Sequence, residues 1–198
     1  MIAKYTPTGG VGLGYPDYLV NRMEQSQYTV GYTNFGVSGY TSTDLKQDIL
    51  IRQDVQEKIS EAEFITIDIG ANDLLQALNT PDQIPAVIGA VTVNLQIILS
   101  TIDQLNPNAK VYVMGYYNPF PYLPSEQQDA LLLLLDALNQ VIESRAAANG
   151  DTFVPTERII AKHYEMYLPN PSNIHLSKEG YRLVAKEFWK NLDKSKNE

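Results

Sequence analysis

The 198-residue sequence contains no cysteine, which excludes disulfides, a thiolate nucleophile and cysteine-bound zinc. Basic residues are few: 15 lysines and arginines stand against 23 aspartates and glutamates, and the net charge is −8. This charge argues against nucleic acid and against an anionic membrane surface as partners. Histidine is also scarce, because the chain has only two.

Long apolar runs are missing as well. The longest, ALLLLLDAL at 130–138, is too short and too interrupted to cross a bilayer, so we expect no membrane span. The first ten residues, MIAKYTPTGG, lack the apolar core of a signal peptide. Secretion stays open for the case that the amino terminus is truncated.

What is present is an alternation of strand-like and helix-like segments, which we interpret as one domain over residues 1–198. Apolar and β-branched runs predict strands at 28–34, 63–69 and 110–116. The pattern predicts an α/β fold, a three-layer α/β/α sandwich with a parallel, flavodoxin-like sheet. Because MIAKYT is a poor first strand, that strand is either atypical or lies upstream of Met1.

Helix signals separate the strands. A short helix is expected in STDLKQDIL, with Ser42 or Thr43 as its N-cap. A longer helix is expected from about Ile84 to Leu105, and another is closed by Gly150.

Three loops carry groups suited to ester chemistry. In GANDLL (70–75), Asn72 follows an apolar strand, where α/β sheets usually meet their ligands. Gly39 follows the preceding predicted strand, and His175 lies in a polar loop before the last helix. A backbone N–H, an amide and an imidazole are the parts of an oxyanion hole and a general base. The alternatives are a helix cap in GANDLL, a turn at Gly39 and a surface histidine.

Three stretches resemble, in order and spacing, the second, third and fifth blocks of the GDSL (SGNH) hydrolase family: NFGVSGYTS (34–42), IGANDLL (69–75) and NIHLSKEGY (173–181). The segment VMGYYNPFPY (113–122) is similar to the strand and loop that bacterial members carry between the third and fifth blocks. The resemblance covers nearly the whole chain. It implies an ester hydrolase of the esterase or lipase type.

The resemblance also implies roles for single residues. Gly39 and Asn72 would donate hydrogen bonds to the oxyanion, and His175 would be the general base. The family's nucleophile is the serine of a Gly-Asp-Ser motif, which this sequence lacks. Two alignments remain: Thr6 stands where the serine should be, or the serine falls immediately before Met1. We favour the second, in which Thr6 is a loop residue, because its spacing to the following segment is better.

A second departure from the family concerns the acid that orients the histidine. Family members carry Asp, usually three residues upstream of it, whereas this sequence has Ser172 and Asn173. Either side chain can hold the imidazole by a hydrogen bond, but neither can stabilise imidazolium as a carboxylate does.

The functional expectation is therefore a hydrolase of small-molecule esters that needs no metal and no organic cofactor. For want of the serine, we expect the chain as written to be incomplete or inactive. The alternative is a pseudoenzyme of the same fold that binds a ligand without catalysis. The sequence leaves the particular ester and the oligomeric state open.

Overall fold

The computed structural model describes residues 5–194, in which three short strands alternate with helices. The strands are β1 (Phe64–Ile67), β2 (Lys110–Met114) and β3 (Thr152–Val154). The helices are α1 (Tyr15–Gln25), α2 (Ser42–Ile51), α3 (Gln53–Glu61), α4 (Ala71–Ala77), α5 (Ile84–Leu105), α6 (Ser125–Asn149), α7 (Glu157–Ala161), α8 (Tyr164–Tyr167) and α9 (Lys178–Lys194). A 3₁₀ turn covers Pro81–Gln83.

The strands form one sheet in the order β1-β2-β3. β1 and β2 are parallel, and Phe64 lies opposite Lys110 in their register. All of β2 except Lys110 is buried, as expected for a parallel strand that is covered on both faces. The strands predicted at 63–69 and 110–116, and the α/β class, are confirmed.

The strand predicted at 28–34 is wrong, because this segment has no regular secondary structure. The segment begins just after Gln27, which follows α1 and has a left-handed backbone conformation with a φ of +65°. Tyr32, inside this segment, is 42% exposed, and Val37, three residues beyond it, is 40% exposed. A strand inside a parallel sheet is instead buried on both faces. Most of MIAKYT, namely residues 1–4, lies outside the described residues, so the expectation of a first strand that is atypical or upstream of Met1 stays a prediction.

The described chain divides into two compact units. Unit 1 comprises Phe35–Tyr116 and Leu134–Phe153 and holds most of the sheet. Unit 2 comprises the described residues of Ile2–Asn34, Tyr117–Leu133 and Val154–Glu198. The single domain expected over 1–198 stays a prediction.

In unit 1, the cap of α2 differs from the expected one. Thr41, rather than Ser42 or Thr43, is the N-cap: its side chain accepts from the Asp44 N–H, and Asp44 Oδ2 accepts from the Thr41 N–H at 2.8 Å. This reciprocal pair satisfies two backbone donors at the helix start. Ser42 is fully buried one position later, and its hydroxyl serves another partner.

α5 is more apolar than inspection of the sequence suggested. Pro81–Leu105 is long and apolar enough to cross a membrane by length and composition alone, with a mean hydropathy of 1.7. Mostly buried core helices pass the same test, whereas 28% of this apolar window is buried. The buried stripe includes Val91, Leu95 and Ile98, and α5 packs against α2 and α4. This criterion is weak evidence for a span, and the absence of a membrane span stays a prediction.

Unit 2 is built on the packing of α1 against α9. Tyr15 of α1 stacks on Phe188 of α9 with ring centroids 4.7 Å apart and planes within 10°. Both side chains are buried, so this stacked pair stabilises the packing of the start of α1 against α9. The loop with His175 leads into α9, and the turn with Thr6 precedes α1.

Candidate active site

Gly39 adopts a backbone conformation that favours glycine. Its φ is +85°, and a Cβ built there would meet nothing within 4 Å. The requirement is therefore conformational rather than a matter of packing space. Within residues 5–194, no acceptor is paired with the Gly39 N–H, and the residue is exposed. This N–H is free to meet a ligand.

Asn72 lies in the first turn of α4 and is half-buried. The cap of this helix is Gly70, with φ +113° and no side-chain cap bond, so the interpretation of GANDLL as an Asn or Asp cap is wrong. Asn72 Nδ2 instead donates to the Tyr40 carbonyl oxygen at 2.8 Å. Because an amide has two N–H donors, this bond fixes the side chain beside the Gly39 loop and leaves a second N–H for a ligand.

A buried polar network ties the same loop to α4. Asp73 accepts from the Ser42 N–H at 2.8 Å and from Ser42 Oγ at 2.6 Å. Asn94 Nδ2 donates to Ser42 Oγ at 2.9 Å, and Lys46 Nζ donates to Asn94 Oδ1 at 2.7 Å. Since Ser42 and Asn94 are buried, every bond here satisfies a group that water does not reach. Sequence analysis missed this network, because Ser42 is separated from Asp73 by 31 positions and from Asn94 by 52 positions along the chain.

A second buried pair that the sequence did not reveal lies at the carboxyl ends of β1 and β2. Tyr116 OH donates a short hydrogen bond to Asp68 Oδ1. Burial raises the pKa of the Asp68 carboxyl, and the hydrogen bond from Tyr116 acts in the opposite direction. Asp68 is the one charged residue in FITIDIG (64–70), and this was the available signal in the sequence.

In unit 2, His175 is half-buried and held from one side by Asn173. The His175 backbone N–H donates to Asn173 Oδ1 at 2.9 Å, and Nδ1 lies 2.6 Å from the same atom. A backbone N–H can only donate, so the shared atom is the amide oxygen, and Nδ1 must carry the proton. Nε2 is then the unprotonated nitrogen, as a general base requires.

Burial lowers the pKa of His175, because the imidazolium form loses hydration. The neutral oxygen of Asn173 does not oppose this effect as a carboxylate would. Ser172, the other expected partner, is exposed, and its backbone N–H donates to Asn170 Oδ1 at 3.0 Å. The second histidine of the chain, His163, precedes α8 and is exposed.

Thr6 lies in a tight turn, and its hydroxyl is paired with the Thr8 hydroxyl at 3.0 Å. Its N–H donates to the Gly10 carbonyl at 2.8 Å, which closes the turn. Asn170 Nδ2 donates to the Pro7 carbonyl at 2.6 Å, so the turn is tied to the loop that carries the histidine. The neighbouring Tyr5 ring lies 5.3 Å from the His175 ring, centroid to centroid. This hydrogen bonding is that of a structured loop.

The site residues expected from sequence thus fall into two groups. Gly39 and Asn72 lie together in unit 1, whereas Thr6, Asn173 and His175 lie in unit 2. The convergence of the two groups on one site stays a prediction. Within residues 5–194, no group of three or more His, Asp or Glu side chains is placed to hold a metal ion, and the expectation of cofactor-free chemistry stays a prediction.

Comparison with known proteins decides the family. Residues 2–183 match the model of the GDSL-like lipase/acylhydrolase family. The chain belongs to this family. An uncharacterized protein of Bacillus subtilis strain 168, YpmR, is 25% identical to it in a match over 193 residues, with 92% of this chain and 75% of YpmR covered.

Solved structures with the same fold include members named as esterases. The lipase Lip_vut3 from a goat rumen metagenome has a TM-score of 0.77 and 21% identity, with 89% of this chain and 86% of the lipase covered. Axe2, an acetylxylan esterase from Geobacillus stearothermophilus, has a TM-score of 0.73 and 20% identity, with 94% and 84% covered. These likenesses confirm the α/β/α fold class of the GDSL-like chain. Solved catalytic mutants of Axe2 replace one histidine or one serine by alanine.

Proposed function

We propose that this GDSL-like chain carries the oxyanion hole and the general base of an acyl-ester hydrolase. The observation that carries the proposal is the hydrogen bonding of His175, whose Nδ1 donates to Asn173 and whose Nε2 is therefore basic. The family match and the free N–H groups of Gly39 and Asn72 support it.

The chemistry assigns each group one task. As a hydroxyl oxygen attacks the acyl carbonyl carbon, its proton passes to His175 Nε2. The carbonyl oxygen becomes negative and accepts hydrogen bonds from the Gly39 N–H and from Asn72 Nδ2. The imidazolium then protonates the departing alcohol, and the C–O bond of the ester breaks.

The expected rate of hydrolysis depends on which group supplies the attacking oxygen. With no Gly-Asp-Ser in the sequence, water activated by His175 is the nucleophile that we propose for the chain as written. In a serine protease, the oxyanion hole and binding alone retain roughly 10³–10⁴-fold acceleration over water. We therefore expect slow hydrolysis of short acyl esters without a burst phase.

The test uses two pairs of matched alanine variants with p-nitrophenyl acetate as substrate. His175→Ala is compared with His163→Ala, which removes the exposed histidine. Asn72→Ala is compared with Asn79→Ala, which removes an exposed asparagine after the same helix. Loss of an oxyanion donor should lower kcat about 10²–10³-fold, down to the limit of the uncatalysed rate.

His163→Ala and Asn79→Ala should hydrolyse the ester at the rate of the parent protein. Asn72→Ala should lower kcat and leave KM unchanged. Equal rates for the site variants and their controls would contradict the proposal. A burst of product followed by rapid turnover would show instead that the chain has its own nucleophile.

The second candidate function is a pseudoenzyme that binds an acyl ester without hydrolysing it. The lack of the family's aspartate favours it, because Asn173, the neutral residue that holds the His175 ring instead, stabilises imidazolium poorly. Under this alternative, a non-hydrolysable ester analogue binds and Asn72→Ala weakens that binding, while no variant changes the rate of hydrolysis.

A further inference from the structure

Unit 2 contains an open groove between α1 and α9 whose charged residues the proposed chemistry does not use. Its volume is about 1190 Å³, which exceeds the roughly 300–1,000 Å³ usual for pockets that hold one small molecule. Thr6 and Leu176 also line it. A groove of this size fits an extended ligand better than a compact one.

The groove is basic although the protein is acidic, with a net charge of −8. Four cationic side chains line it: Arg22 from α1, and Lys178, Arg182 and Lys186 from α9. Glu24 is the one carboxylate among its lining residues. The ion pairs that occur between residues 5–194 involve none of these four cations, so their charge is available to a ligand of opposite sign.

Two of the cations are held in place by aromatic rings. The Arg22 guanidinium lies over the Trp189 ring, 5.0 Å from its centroid, and Arg182 lies over Tyr18 at 5.3 Å. Stacking fixes the plane of a guanidinium and leaves its N–H edges to donate in pairs to a carboxylate. This arrangement distinguishes the groove from a solvated helix face, where long side chains sample many rotamers.

The spacing of the charges along α9 indicates the shape of the ligand. Lys178, Arg182 and Lys186 follow each other at four-residue intervals, which at about 1.5 Å per residue places successive residues about 6 Å apart along the helix axis. Alternate side chains of an extended peptide point to one side and recur about every 6.6 Å. Flexible side chains absorb the small difference, so carboxylates at alternate positions of an extended peptide can meet the three cations in turn.

The opposite wall of the groove suits a peptide backbone. Asn21 and Gln25, one helical turn apart on α1, both line the groove and are exposed. A primary amide donates and accepts, as the N–H and C=O groups of an extended peptide require. An extended peptide leaves these backbone groups free for pairing.

We propose that the groove between α1 and α9 is a binding site for an extended acidic peptide segment with carboxylates at alternate positions. The cations of α9 pair with the carboxylates, and the amides of α1 bind the peptide backbone. The proposal does not rest on ester hydrolysis, so its test measures binding and not turnover.

Trp189, the one tryptophan of the chain, is a built-in reporter because it lies in the groove. The intact chain is titrated with a hexapeptide of alternating Glu and Ser, and its fluorescence and heat of binding are recorded. The control peptide has the same composition in two blocks, three Glu followed by three Ser. We expect the alternating peptide to bind at least about fivefold more tightly, and high salt to weaken that binding strongly.

A matched pair of charge reversals locates the site. Lys186 lines the groove, whereas Lys190, one turn later on the same helix, pairs with Glu187 at 2.7 Å and does not line it. Lys186→Glu should weaken peptide binding about tenfold or more, and Lys190→Glu should change it less than about twofold, since both alter the net charge equally. Circular dichroism and thermal unfolding establish that both variants fold.

Four results would overturn the proposal. Equal weakening by Lys186→Glu and Lys190→Glu would show that only the net charge matters. Equal affinity for the alternating and the block peptide would remove the argument from spacing. An oligogalacturonate with the same number of carboxylates that binds more tightly would assign the groove to an acidic carbohydrate. If neither the Trp189 fluorescence changes nor heat is released or absorbed on titration, no such peptide binds.

Discussion

Asn173 Oδ1 accepts hydrogen bonds from both the backbone N–H and the Nδ1 of His175, two residues further along the chain. The backbone bond fixes which end of the amide faces the ring, and the ring bond then fixes the tautomer of the imidazole. A neutral amide thereby performs the orienting part of the role that an aspartate has in related hydrolases. It does not supply the negative charge that stabilises imidazolium.

Asn173→Asp should therefore raise the pKa of His175. In the parent protein, burial lowers this pKa, and a carboxylate at hydrogen-bond distance favours the charged ring. The titration is followed by NMR of the imidazole C–H signals, and His163→Gln assigns them, because the chain has two histidines. Ser172→Asp tests the position where family members carry their aspartate, and it should raise the pKa of His175 less, because Ser172 is exposed and Asn173 holds the ring. An unchanged or lowered pKa in Asn173→Asp would contradict the hydrogen-bond geometry.

Thr6→Ala should leave any residual esterase rate unchanged. The Thr6 hydroxyl is paired with Thr8, and its β-branched side chain crowds the approach to a carbonyl. Adding an upstream strand that ends in Gly-Asp-Ser should instead raise the rate by orders of magnitude and make it dependent on His175. If Thr6→Ala abolished the esterase rate and the added strand did not change it, Thr6 would be the nucleophile.

Ser42→Ala should lower the free energy of unfolding by about 1–3 kcal/mol, because Asp73 and Asn94 each lose a hydrogen-bond partner in a site closed to water. Thr43→Ala is the matched control: its hydroxyl also accepts from Asn94, at 3.0 Å, but the residue is exposed. Its effect should stay within about 0.5 kcal/mol. Urea unfolding measures both, and equal effects would mean that burial of the network contributes nothing.

Two glycine-to-alanine changes should act in opposite directions. At Gly115, a Cβ would lie 2.4 Å from the Phe153 ring, so Gly115→Ala should destabilise the fold by about 1–3 kcal/mol. At Gly89, inside α5, a Cβ meets nothing within 4 Å, and Gly89→Ala should stabilise by up to about 1 kcal/mol. Thermal unfolding separates the two. Phe153→Leu should recover part of the loss in the Gly115→Ala background, and failure to do so would argue against the steric cause.

Asp151→Asn should change how stability depends on pH. Burial, together with repulsion from Asp103, raises the pKa of Asp151 from 3.8 to about 6. The folded state then binds more protons than the unfolded state between these values, so this group lowers stability as pH rises through the window. The variant should gain stability relative to the parent between about pH 4 and pH 7, as measured by urea unfolding at both values. If the free energy of unfolding differed between variant and parent by the same amount at both pH values, the raised pKa of Asp151 would be contradicted.

The sequence determined the elements whose signals are local. α5 runs from Ile84 to Leu105 as expected, and α6 ends before Gly150, whose φ is +84°. The family also followed from local motifs, and the match over residues 2–183 bears it out. Such features depend on backbone conformations that neighbouring residues impose, so reading along the chain is sufficient.

Local signals failed where the outcome depended on burial. The β-branched and aromatic residues at 28–34 indicated a strand, but a strand also needs neighbours that cover its faces. At the start of α2, Ser42 and Thr43 were the expected caps, and the preceding hydroxyl residue Thr41 was not among the candidates. Thr41 is the cap because Ser42 turns inward to Asp73.

Only the tertiary structure decided which polar groups meet. Gly39, Asn72 and His175 were identified as candidates from the sequence, and Asn173 was one of two expected partners of His175. The hydrogen bond from Asn72 to the Tyr40 carbonyl was not expected. The contact between Ser42 and Asp73 spans 31 positions, and the groove arises where α1 lies against α9. The type of a residue fixes what it can donate or accept, whereas the packing of distant segments fixes which partner is within hydrogen-bond distance.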